Sequence, residues 1–113
     1  MIATMIGNIE KRDKVMEMGM NSNPKVVAKA MGEMYTTDLR PYVNAIDIPV
    51  LALGSWYGYK NYGVTMESAL MNYNSQFNAI SQARVKMAET GLHFIFYDEP
   101  EWFFKVVDNF LEE

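Results

Sequence analysis

The run "IDIPVLALGSW", residues 46–56, constrains the fold of this chain more than any other stretch. It is apolar without alternation and is bounded by Pro49 and Gly54, the pattern of a strand buried on both faces. Such strands belong to parallel sheets covered by helices, so the fold class is α/β. We place this strand at about 48–54. A second strand is expected at about 84–89, within "ARVKMAE", where Val85 and Met87 alternate with charged neighbours. The second half then reads strand–helix–strand–helix, with a right-handed crossover between parallel strands. Two strands do not make a stable parallel sheet, because a strand apolar on both faces needs neighbours along its edges. The chain is therefore expected to end a larger domain, or to complete its sheet with another chain.

The helices are signalled by caps and apolar stripes. Ile2, Met5, Ile6 and Ile9 fall at helical spacing, and a short helix is expected from about Lys11 to Met18, ending at Gly19. In "NSNPKVVAKAMGEM", Asn23 caps and Pro24 opens a helix whose apolar face is Val26, Val27, Ala30, Met31 and Met34. A short helix follows in "TTDLRPYVNAI", capped by Thr37 or Asp38. Thr65 caps a helix running to about Ile80 with a stripe of Met66, Ala69, Leu70, Tyr73, Phe77 and Ile80. In the last helix Asp98 is the expected cap, Pro100 lies in the first turn, and Phe103, Val106, Val107, Phe110 and Leu111 form the stripe. We divide the chain into a mostly helical segment, 1–34, and an α/β portion, 35–113.

Composition excludes several functions. A net charge of −4 with scattered Lys and Arg offers no surface for nucleic acid. With no cysteine and one histidine there is no disulfide, no thiol nucleophile and no expected metal site or cofactor. No run of eighteen apolar residues exists, so no membrane span is expected. The start lacks a basic region ahead of its apolar stretch, which points to the cytoplasm rather than to a secretory signal. Met1, Met5, Met16, Met18, Met20, Met31 and Met34 crowd the first third. They read as pliable core filler, or as the wall of an apolar cleft if a cleft exists.

The passage "TTDLRPYVNAIDIPVLALGSW…LHFIFYDEPEWFFKVVDNFLEE" resembles the C-terminal third of an α/β-hydrolase. The resemblance lies in a polar-start helix leading to "I-x-x-P-V-L-x-x-G", and in a terminus matched by His93, Phe94, Ile95, Asp98, Pro100, Trp102, Phe110 and Leu111. It implies that 1–34 is the end of a lid. It also implies that His93 is the general base of a Ser–acid–His triad acting on a small ester, amide or related acyl substrate.

The other triad members are not legible. No "G-x-S-x-G" occurs, and Ser55 has Leu53 where the elbow needs glycine. No carboxylate follows the first strand before Glu67; Asp38 and Asp47 read as a helix cap and a loop-end residue. Ser55, Trp56, Tyr57 and Tyr59 are the candidate substrate-binding residues, since amphipathic rings suit a pocket that orients a ligand by one or two hydrogen bonds. The same rings equally suit the edge of a core or an interface. Two functions follow: part of a serine-type hydrolase, inactive alone, or a non-catalytic module that completes its sheet as a homo-oligomer or with a partner chain.

Overall fold

The computed structural model describes residues 2–113, and its elements begin where the sequence supplies a starting signal. After a 3-10 turn at Ile2–Thr4, helix α1 spans Ile9–Met20. It runs through Gly19, past the expected stop. Helix α2, Pro24–Thr36, is held at its start by the Asn23 side chain, which accepts from the N–H groups of Lys25 and Val26. The expected helix after Asp38 is a 3-10 helix, Arg40–Ala45, and the Asp38 carboxylate accepts from the Arg40 N–H at its first residue. Strand β1 is Val50–Gly54. The aromatic segment Tyr57–Tyr62 forms another 3-10 helix, closed by Gly63 at φ 83, a left-handed conformation that glycine adopts without steric cost.

Helix α3, Met66–Phe77, opens on a capping box in which Thr65 and Ser68 satisfy each other's backbone N–H. Strand β2 is Ala83–Met87, followed by a single helical turn, α4 (Ile95–Asp98), and by helix α5 (Pro100–Leu111). Asp98 is not the cap of α5. That position is Glu99, and neither end-residue side chain caps the helix, because both carboxylates are engaged elsewhere.

The two strands pair in parallel, in the register Val50↔Ala83 through Gly54↔Met87. Paired residues share a face, so Val50, Ala52, Gly54, Ala83, Val85 and Met87 lie on one side. Helix α3 covers that side, where the absence of a side chain at Gly54 admits both Tyr73 and Met87. A Cβ there would sit 2.7 Å from the Tyr73 ring and 2.6 Å from the Met87 sulfur. Leu51, Leu53, Arg84 and Lys86 occupy the opposite side, where Leu51, Arg84 and Lys86 share an open hollow with Trp102, Val106 and Phe110 of α5. Arg84 lies 5.3 Å from the Phe110 ring and is ion-paired with Glu113. The result is a helix–sheet–helix sandwich around only two strands.

The stripe on α3 packs, with Ala69 buried and Met66, Leu70, Tyr73 and Phe77 half-buried, but the helix stops at Phe77 and the buried Ile80 lies in the turn beyond it. In α5, Phe103, Val106, Val107 and Phe110 are half-buried, whereas Leu111 is 73% exposed. Helix α2 departs most from expectation. Its apolar face meets no core, and Val26, Met31 and Met34 are all exposed. The physical reason is the small sheet, which gives a second layer nothing to cover.

The surface area makes the same point quantitatively. The chain exposes 8716 Å², against about 6,300 Å² for a compact chain of its mass. Its radius of gyration is 15.7 Å, where about 13 Å is usual for this length. Among the described residues no helix is long and apolar enough to cross a membrane.

Candidate functional site

Parallel pairing brings the loops that follow β1 and β2 to the same end of the sheet, where open α/β sheets carry their chemistry. The loop after β1 holds Ser55, Trp56, Tyr57 and Tyr59; the loop after β2 holds His93. They meet at Gly58, where a Cβ would lie 3.1 Å from the Thr4 carbonyl oxygen and 3.5 Å from the Leu92 side chain. Leu92 is buried directly before His93, and His93 itself is exposed. The imidazole stands edge-to-face with Phe94, with ring centres 5.2 Å apart. Among the described residues no carboxylate hydrogen-bonds that imidazole, and no serine elbow accompanies it.

Two adjacent carboxylates hold the histidine loop. Glu99 accepts from the N–H of Thr90 at 2.6 Å, from that of Glu89 at 3.4 Å, from the Thr90 hydroxyl at 3.2 Å, and from the Gly91 N–H. Asp98 accepts from the Leu92 N–H at 2.9 Å, and from the N–H groups of Gly7 at 2.9 Å and Asn8 at 2.7 Å. Partial burial pushes the Glu99 carboxyl up, but the N–H groups of Thr90, Gly91 and Glu89 and the Thr90 hydroxyl outweigh it. Glu99 therefore titrates below the ordinary glutamate range.

The N-terminal segment is stitched to the same loop. The Phe94 N–H donates to the Met5 carbonyl at 3.1 Å, and the Asn8 side-chain amide donates to the Tyr97 carbonyl at 3.2 Å. Ile6, fully buried, anchors this crossing. The residue spacing in sequence is about the whole chain, so no local pattern announces it. The one available signal was two acidic residues ahead of Pro100, which also satisfies a helix-start motif.

The candidate substrate-binding residues are only partly assembled. Ser55, Trp56 and Tyr59 line an open hollow of about 330 Å³ with Val64, Ser68 and Tyr73, while Tyr57 and His93 do not line it. Tyr57 instead packs edge-on to Trp56 and lies under the Lys60 ammonium, 3.6 Å from its ring centre. The Ser55 carbonyl accepts from the Tyr73 hydroxyl at 3.3 Å. The Trp56 Nε1 is buried with no acceptor among the described residues. A second, apolar groove of about 350 Å³ lies beside the histidine's neighbour, lined by Val15, Met18, Phe94, Phe96 and Tyr97. Of the methionines crowded in the first third only Met18 lines it, and Met16, Met20, Met31 and Met34 are exposed, so that group forms neither core filler nor a cleft wall; Met1 lies outside the described residues.

Comparison with protein-family models, with curated proteins and with solved structures finds no match.

Proposed function

We propose that this chain is the C-terminal part of a serine-type α/β-hydrolase acting on a small ester, amide or related acyl substrate. In this reading His93 is the general base. The observation that carries it is the exposed imidazole at the C-terminal end of a parallel strand, on a loop fixed by Asp98 and Glu99. A base of this kind takes the proton of a nucleophilic serine and returns it to the leaving group. It achieves little without a nucleophile and an oxyanion hole. The purified 113-residue chain is therefore expected to hydrolyse no p-nitrophenyl ester above buffer. In the native assembly a fluorophosphonate is expected to label a serine outside these residues, and His93→Ala to slow that labelling by at least about 10³-fold. Ester hydrolysis by the isolated chain that survives His93→Ala overturns the reading.

A second reading, a non-catalytic module that completes its sheet with a second copy or a partner chain, is favoured by one observation. Strand β1 is apolar on both faces and pairs on one side only, whereas β2 carries Arg84 and Lys86, the charges with which edge strands discourage further pairing. Each strand leaves one edge unpaired, and that of β1 is the one without charged side chains.

A further inference from the structure

The geometry assigns Asp98 and Glu99 as positioning residues that set the His93 loop and couple it to the N-terminal turn at Gly7–Asn8. This rests on the reading of His93 as the base. Five backbone N–H groups of two loops converge on the pair at 2.6–3.4 Å, besides that of Gly91. Glu99 gathers the segment just after β2, Glu89 to Gly91, and Asp98 takes the next N–H, that of Leu92. Every amide from 89 to 92 thus points at one of two neighbouring carboxylates, and the imidazole follows immediately. A carboxylate that accepts several N–H groups fixes their mutual orientation, because each oxygen has directed lone pairs and charge-assisted bonds are strong.

The glycines show that the approach is close. A Cβ on Gly7 would lie 3.3 Å from an Asp98 oxygen, and one on Gly91 would lie 3.3 Å from a Glu99 oxygen. Each carboxylate therefore has a glycine that lets backbone reach it. Asp98 also joins residues separated by about ninety positions, so the turn that leads into α1 and the loop that presents His93 move as one body. A displacement of α1, whose Met18 and Val15 line the groove beside Phe94, is transmitted to the imidazole through this clamp.

The chain has a single histidine, so ring-labelled protein gives one imidazole signal in an NMR spectrum. Asp98→Asn replaces one accepting oxygen with a donor, and Gly91→Ala presses on Glu99 without removing charge. Each is expected to shift that signal or at least double its width, and to speed amide exchange at Leu92 about tenfold. Glu101→Gln, which removes an exposed charge one turn away, is expected to change neither. Restoring the carboxylate as Asp98→Glu is expected to recover part of the effect. An imidazole signal unchanged in position and width in folded Asp98→Asn or Gly91→Ala protein overturns the assignment. If Asp98→Asn does not fold, the Gly91→Ala spectrum decides. The measurement uses no substrate, so its failure leaves the role of His93 to the labelling experiment.

Discussion

At the scale of single residues, Glu99 and Asp98 carry the most structural consequence for their size. The position of Glu99 has a pH signature. Its folded-state carboxyl is depressed, so the stabilisation it gives is complete above the ordinary value near 4.5 and is lost as pH falls through the lower folded value. Thermal midpoints measured from pH 6 down to pH 3 are expected to fall more steeply for the native chain than for Glu99→Gln. At pH 7 the variant is expected to be less stable by about 1.5–3 kcal/mol, the usual worth of hydrogen bonds to a charged group. Equal slopes would mean that the clamp contributes nothing through its charge. Asp38 makes a contrast: Arg40 hydrogen-bonds it and holds its carboxyl down to about 2, yet the pair lies exposed on the surface and contributes little. Such bonds were invisible to sequence reading for Asp98, whose place before Pro100 matched a cap, and legible for Asn23 and Thr65, whose partners lie within three residues.

At the scale of elements, local signals served well wherever the partner groups were local. The Thr65 cap, the Asn23–Pro24 start and the stripe from Met66 to Phe77 lie where the pattern put them, although α3 stops short of Ile80. Both strands also form within a residue or two of the expected bounds, 50–54 and 83–87 against 48–54 and 84–89. The junction of α3 with the sheet gives an element-scale prediction. Gly54→Ala would drive a methyl into the Tyr73 ring and the Met87 sulfur, an overpacking expected to cost about 1–3 kcal/mol in urea unfolding. A variant as stable as the parent would show that α3 is free to lift from β1. What periodicity could not tell was whether a stripe finds a core. The faces of α2 and α3 have equally apolar residues, but only α3 has a sheet beneath it.

At the scale of the whole molecule, the chain exposes roughly 2,400 Å² more than a compact chain of its mass would, beyond the area that each partner buries in a standard interface, about 800 Å². The exposed apolar face of α2 is part of that surface, and each strand of the sheet leaves one edge unpaired. The isolated chain is expected to bind a hydrophobic dye at neutral pH and to associate with rising concentration in sedimentation equilibrium. A monodisperse species of 13.0 kDa that binds no dye at any concentration would show that this surface is stable in water.

By itself the sequence determined the α/β class, the parallel strand apolar on both faces, the caps of α2 and α3 and the packed stripe of α3, because these follow from interactions between residues a few positions apart. Only the tertiary structure decided that the N-terminal turn is bound to the histidine loop through Asp98, that Glu99 rather than Asp98 stands at the start of α5, and that α2 remains uncovered. Those outcomes depend on which distant backbone N–H groups and which apolar surface the folded chain brings into reach, and no periodicity along the chain encodes that.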